Sequence, residues 1–316
     1  MPCCTDVYLA SLDLLSPSVV GRTPWGRMGQ TPMSWERRRT LHLLPACPED
    51  LQAYLEMDLD LEDDHMTHCF CEFAATHALY KAVERGRMVG VMMLEHLTDD
   101  HAYLGAARVD RRYRKSGVAT ALCEHLIALA RERGYRWIGL STEEENAPAR
   151  RTARRLGFQV MGRHLSCHNH RILRQPRRED TSCSMTLEKK AALLADAYAQ
   201  TRVLPCTPYA LIPWPEGGLP SDYLGQLTFH PLTSPDGPIM YAVNRAAHPE
   251  DLHVIALHPA PHYSRRRLAV LLEQQEGPHE SAHIDFPVYS PHDVSAQVAL
   301  PGTWEVLRWV VYGQTL

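Results

Sequence analysis

The chain has 316 residues, 45% of them hydrophobic and 22% charged, enough apolar area to offset chain entropy, so disorder as the main state is excluded and one large domain or two are expected. Lys plus Arg number 33 against 37 Asp plus Glu, a formal net charge of −4, which argues against a globally basic nucleic-acid binder. No apolar run reaches 18 residues, so no membrane span is expected.

Residues 1–38 open with Cys3-Cys4 and run through Pro, Gly and Ser, without the basic start, apolar core and cleavage site of a signal peptide. They read as a flexible leader, with Met33 as a second candidate start. The nine cysteines are odd in number and scattered, the pattern of reduced thiols in a cytoplasmic protein rather than of a disulfide scaffold. From residue 40 the texture changes. Residues 40–44 read as a strand. Pro48-Glu49-Asp50 opens a helix with Leu51, Tyr54 and Leu55 at helical spacing, and 58–75 reads as an interrupted helix. Residues 78–83 and 88–94 form a hairpin about the turn at 84–87, and 101–109 is a further strand. Residues 117–133 give the clearest helix, with Val118, Ala121, Leu122, Leu126, Leu129 and Ala130 on one face and Gly134 at its C-terminal end. An apolar, central strand is expected at 137–141, an arginine-rich helix at 147–156 closed by Gly157, and two strands at 158–161 and 163–173. The strand–helix–strand run at 101–141 implies a parallel crossover in a mixed sheet, an α/β class with antiparallel additions.

One stretch carries chemistry: Ala107-Arg108-Val109-Asp110-Arg111-Arg112-Tyr113-Arg114-Lys115-Ser116-Gly117-Val118-Ala119. A strand ends, a basic loop follows and a long helix begins. The first-turn amides of a helix have no internal partners and its dipole favours negative charge there, so the arrangement is an anion site. Gly117 permits close backbone approach, and Ala119 keeps the next turn open. Arg108, Arg111, Arg112, Arg114 and Lys115 add five positive charges. A pyrophosphate or similar polyanion is the ligand this chemistry suits.

The same residues resemble the acetyl-CoA motif of the GCN5-related N-acetyltransferase (GNAT) family, whose Arg/Gln-x-x-Gly-x-Gly/Ala signature is met by Arg114, Gly117 and Ala119. Asn146-Ala147-Pro148-Ala149 and Leu156-Gly157-Phe158 resemble the family's second segment, and the resemblance covers about residues 40–174. It implies a GNAT acyl-CoA N-acyltransferase fold and acetyl-CoA as co-substrate. Pyrophosphate would lie on the amides of Arg114, Lys115, Ser116, Gly117, Val118 and Ala119. The pantetheine arm would run beside Ala107, Arg108 and Val109 between two splayed strands, with Asn146 touching it. The acceptor, a primary amine of a small molecule, amino acid or peptide, attacks the thioester directly, and a strand amide near 107–109 stabilises the oxyanion. The family's proton-donating Tyr, seven residues after the Asn, is here Ala153. That departure leaves a second reading open, an acyl-CoA-binding sensor or scaffold that has lost the chemistry.

For the base, Glu95 and Glu143 are the candidates, ahead of Asp99, Asp100, Glu144 and Glu145. Arg150, Arg151, Arg154 and Arg155 form a basic stripe, a solvated helix face or a hold on an adenosine 3′-phosphate. His65, His68, Cys69 and Cys71 are close together, as are Cys167, His168 and His170, but neither spacing is that of a structural zinc site, and no metal is expected. Cys123 reads as buried packing. The proposed organisation is a leader (1–38), an acetyltransferase domain (39–174), a polar linker (175–186) and a C-terminal α/β domain (187–316). In the last, a helix is expected at 187–200 and another at 265–275. Strands are expected at 209–212, 239–243, 253–257, 283–289 and 304–312. Tyr263 to Leu272 parallels Tyr113 to Leu122 with Arg267 in place of Gly117, as in a degenerate second copy that binds CoA poorly, packs on the first and shapes the acceptor site. The sequence leaves the oligomeric state open.

Overall fold

The computed structural model describes residues 40–316 apart from 62–63, 65, 170–172, 175–183, 202–203, 207–208, 212–218, 233–238, 245–250, 258–277, 280 and 289–304. The leader, the helix expected at 265–275 and the segment parallel to Tyr113–Leu122 lie outside the described residues. In chain order the first half contains β1 (Leu41–Pro45), α1 (Leu51–Leu55), α2 (Met66–Ala75), β2 (Leu79–Glu84), β3 (Arg87–Thr98), β4 (His101–Val109), α3 (Val118–Glu132), β5 (Trp137–Glu143), α4 (Ala147–Arg155), β6 (Gln159–Asn169) and β7 (Leu173–Arg174). The second half contains α5 (Leu187–Thr201), β8 (Leu204–Cys206), β9 (Tyr209–Leu211), α6 (Ser221–Gln226), β10 (Leu227–Leu232), β11 (Ile239–Asn244), β12 (Asp251–Ala256), β13 (Pro278–His279), β14 (Ser281–Val288) and β15 (Glu305–Thr315).

Local chemistry accounts for most boundaries. The β2–β3 hairpin turns on Arg85 and Gly86, both at positive φ (52° and 76°), the mirror-type turn that matches strand twist. Gly134 and Gly157 sit at φ 83° and 89° just past α3 and α4, the left-handed position that ends a helix. The interrupted helix expected at 58–75 begins only at Met66. Asp58 and Asp60 before it instead face the arginines of the basic loop. The two strands expected at 158–161 and 163–173 are one strand, β6, whose pairing with β15 skips Met161. The expected break is therefore a bulge, which bends a strand without ending it.

An 11-stranded mixed sheet has the order β1-β2-β3-β4-β5-β15-β6-β14-β12-β11-β10. β4 and β5 are parallel, joined by α3 as expected. α3 and α4 cover one face, where Leu122, Leu126, Ala130 and Ala153 pack on Leu94, Leu104 and Ile138. Cys123 is buried there, and burial pushes its thiol up to about 12, so it is inert packing. α1 and α2 form a second core of Tyr54, Met66 and Phe70 against Leu79, Val91 and Met93. In the second half, Leu194 and Ala197 of α5 and Leu224 of α6 pack on Phe229, Ala242 and Ile255.

The last strand of the chain does not stay with the second half. β15 lies between β5 and β6, antiparallel to both, and β6 in turn pairs β14 of the second half. Val310 and Tyr312 of β15 are fully buried in the core that holds α3. Each half is thus completed by the other's final strand. Removing residues 305–316 opens the β5 and β6 edges and takes two core side chains from the first half. The expected outcome is loss of the cooperative thermal transition, read by circular dichroism. A truncated protein that melts like the full chain would contradict this dependence.

Candidate active site

β4 and β5 are paired from His101/Trp137 to Leu104/Leu140 and then part. Beyond that rung β4 stays with β3 and β5 with β15, so the facing edges, Gly105 to Val109 and Ser141 to Glu143, share no ladder bonds. β4 bulges there. Its pairing jumps from Gly105 to Arg108 while β3 moves only from Met93 to Val91, and Ala106 takes φ 52°. A bulge re-aims backbone groups. The result is a wedge with strand edges free to pair an extended ligand, closed at its apex by Tyr103. The Tyr103 hydroxyl accepts from the Ser141 amide at 2.8 Å and shares a short hydrogen bond with the Ser141 hydroxyl.

The basic loop leads from this wedge to α3. Asp110, fully buried, accepts from the Arg112 amide and Nε, both at 2.9 Å, and from the Asp58 amide at 3.3 Å. The Arg112 guanidinium is the main cause that holds its carboxyl down at about 2. Lys115 (φ 63°) and Gly117 (φ 92°) are both left-handed, and such alternation gathers amides into an anion-binding nest. The first intrahelical bond runs from Ala121 to the Gly117 carbonyl at 2.9 Å, which leaves the amides of Val118, Ala119 and Thr120 open at the positive end of α3. A Cβ on Gly117 would meet no atom within 4 Å, so the space in front of the turn is clear.

The five cations do not all serve that space. Arg108 is bound to buried Asp64, with Nη2 at 2.8 Å and Nε at 3.1 Å. Arg111 pairs with Asp58 at 3.0 Å, Arg112 with Asp110, and Arg114 with Asp60 at 3.8 Å. Lys115 alone has no ion-pair partner among the described residues. Arg108 is a buried tie and offers its backbone. Arg112 is likewise held by fully buried Asp110, whereas Arg111 and Arg114, 58% and 45% exposed, are in weaker pairs that a polyanion can rearrange. Arg155 of the α4 stripe reaches Thr120 in the first turn of α3 at 3.4 Å, so part of that stripe borders the anion site. Asn146 caps α4, its Oδ1 accepting from the Ala149 amide at 3.2 Å. Its side-chain NH2 has no partner among the described residues.

The two base candidates separate. Glu95 lies inside β3 and not at its end as expected, directly across from Tyr103. Its Oε2 is buried without a hydrogen-bond partner, and burial pushes the carboxyl up to about 7. Glu143 is exposed at the end of β5, opposite Trp309. Of the other acids, Glu144 pairs with Arg163 at 3.4 Å and Asp100 with Arg136 at 2.7 Å, which are structural ties. Ala153 is buried in the α3–α4 core and has no proton to give. Cys69 is buried, Cys71 is exposed and His65 lies outside the described residues. No group of three or more metal-ligating side chains occurs among the described residues.

Tertiary contact adds residues that the motif reading passed over. Tyr54 donates to Asp64 in a short hydrogen bond, so α1, the 58–64 segment and β4 meet at one buried carboxylate. Trp309 stacks on His164 with ring centroids 5.9 Å apart, beside Glu143. Tyr103 had a sequence signal, a lone phenol in a strand of small apolar residues, but its partner Ser141 is 38 residues away.

The acetyltransferase (GNAT) family model matches residues 41–158. Two solved structures share the fold over most of the chain. A Thermoplasma acidophilum protein assigned as an acetyltransferase has a TM-score of 0.55 and 13% identity, covering 87% of this chain and 100% of its own. A Pyrococcus horikoshii protein with the same assignment has a TM-score of 0.53 and 12% identity, covering 92% and 94%. No curated protein matches the chain. Residues 41–158 are therefore an acetyltransferase (GNAT) family domain. None of the helices among the described residues is long and apolar enough to cross a membrane.

Asp64 gives a test of the scaffold behind the wedge. Burial alone would raise its pKa, but the hydrogen bonds from Arg108 and Tyr54 outweigh it and hold the carboxyl below the usual range. A depressed folded pKa contributes stability that is present above the unfolded value, about 3.9, and is lost as pH falls through the folded one. Asp64→Ala leaves Arg108 unpaired and is expected to destabilise by about 3–5 kcal/mol at pH 7. The difference from wild type should shrink toward pH 3 in urea titrations. A difference constant from pH 7 to pH 3 would contradict the assignment.

Proposed function

We propose that the chain is an N-acetyltransferase that uses acetyl-CoA to acetylate a primary amine of a small molecule, amino acid or peptide. The observation that carries the reading is the half-buried carboxylate of Glu95, whose Oε2 is buried without a hydrogen-bond partner, beside the apex of the β4–β5 wedge. A base is most effective when its pKa is close to the working pH, and about 7 meets that condition. In this reading the pyrophosphate lies on the amides from Arg114 to Ala119, with Lys115 as its nearest uncommitted cation. The pantetheine arm pairs with the strand edge at Ala107, Arg108 and Val109 and receives a hydrogen bond from the Asn146 side-chain NH2. An amide of the same edge faces the oxyanion. Glu95 removes the proton of the attacking amine, and Glu143, at the mouth, meets the acceptor. The site works in a cytoplasmic setting and needs no metal.

We also propose that residues 187–316 are a degenerate copy of the first domain. β2, β4, β5 and β6 recur 144–150 residues later as β10, β12, β14 and β15, and β12–β14 repeats the parallel pairing of β4–β5. The copy's role is to supply β15 and to shape the acceptor side. Arg267 in place of Gly117 argues against a second CoA site. Ala153 favours a second reading, an acyl-CoA sensor without turnover.

Calorimetric titration of acetyl-CoA into wild type and Gly117→Arg tests the cofactor site. Micromolar binding that is abolished in the variant is the expected outcome, since Arg is strained in the left-handed turn and its side chain would fill the clear space that the pyrophosphate needs. No binding to wild type would refute both readings, and tight binding without turnover of any amine would leave the sensor. Activity should rise with pH through an apparent pKa near 7 as Glu95 loses its proton. Glu95→Gln should remove that limb and lower kcat by about 10²–10⁴-fold. The fold prefers Glu95 protonated, so its stability contribution is full below the unfolded pKa of about 4.3 and is lost as pH rises through about 7. Glu95→Gln is therefore also expected to melt above wild type at pH 8 but not at pH 4. A variant with an unchanged pH–rate profile would remove Glu95 from the reaction.

A further inference from the structure

Expulsion of a thiolate leaves a proton debt at the sulfur, and the helix position beside the site holds Ala153, buried in the apolar core. The wedge supplies hydroxyls elsewhere. Ser141 is the first residue of β5 beyond the last β4–β5 rung. A ligand running between the strands from the α3 turn toward the apex therefore brings its reacting end to Ser141. The Ser141 amide is turned to the Tyr103 hydroxyl at 2.8 Å, and the Ser141 hydroxyl is in a short hydrogen bond with the same phenol. The phenol is buried at 4% exposure, and Glu95 stands directly across the strand pair from it.

Resting on the acetyltransferase reading, we propose that Ser141, backed by Tyr103, protonates the departing sulfur of acyl-CoA. When the tetrahedral intermediate collapses, the C–S bond breaks and its electron pair leaves on sulfur. The Ser141 hydroxyl gives its proton to that sulfur and takes the Tyr103 proton. The Ser141 amide steadies the phenolate. The proton that Glu95 took from the amine returns to Tyr103 through water, which regenerates all three groups and releases a neutral thiol. Burial is the main cause that pushes the phenol up to about 12, so Tyr103 starts each cycle protonated. Ser141 is the group that touches the reacting atoms. Tyr103 is a positioning residue that acts through it.

The experiment compares acetyl-CoA with its selenoester analogue in wild type, Ser141→Ala and Tyr103→Phe, following release of the free thiol or selenol by chromatography with an amine and without one. A selenolate is the more stable leaving anion and needs no proton to depart. With acetyl-CoA, both variants are expected to lose about 10²-fold in kcat with little change in KM. With the selenoester, kcat should stay within a few-fold of wild type. Equal losses on both donors would mean that the pair only props the strands, and would overturn the proposal. No loss on acetyl-CoA would overturn it as well. Ser141→Ala keeps the amide-to-phenol bond, so it tests the donor even where Tyr103→Phe fails to fold. A wild type that releases thiol from neither donor fails the acetyltransferase reading itself, an outcome distinct from variant-specific loss.

Discussion

Parallel strands that pair along their whole length leave no backbone for a ligand. Here β4 and β5 stop pairing at Leu104/Leu140, and the rest of the site depends on that separation. Two features keep the strands apart. The bulge at Ala106 turns β4 toward β3, and the Tyr103 hydroxyl takes the Ser141 amide that a regular ladder would have given to β4. An amide satisfied by a side chain loses nothing by leaving the ladder, which lets the gap persist without a ligand.

Two buried acids then set how much positive charge faces that gap. Asp110 and Asp64 draw Arg112 and Arg108 out of the set of five cations. What remains for a polyanion is a group of oriented amides, the uncommitted Lys115 and exposed arginines in weak pairs. Oriented amides are well suited to the task, because they add no long side chains whose freedom must be lost on binding.

The exchange of β6 and β15 joins the two halves more tightly than surface packing would. Each exchanged strand has both edges paired, and the core under α3 includes Val310 and Tyr312 from the end of the chain. The second half is in this sense part of the first half's core. Trp309, stacked on His164 and opposite Glu143, shows that β15 also lines the outer face near the site.

The anion loop, α3, its crossover and the Leu-Gly-Phe end of α4 were legible in the sequence because they depend on near neighbours. Helical spacing, a left-handed glycine and a strand followed by a helix are local patterns, and the motif residues that carry the family resemblance lie within them. The same locality made Glu95 look like a strand-end acid and the five cations look equivalent. Only the fold decided which charges are spent. Burial of Glu95 needs β4 beside it, Arg108 is taken by an acid 44 residues away, and Tyr103 meets Ser141 only through the parallel crossover. The place of β15 was the least legible of all. A strand that pairs on both edges has the same alternation wherever it sits, and its register is chosen by partners that the chain reaches only after folding.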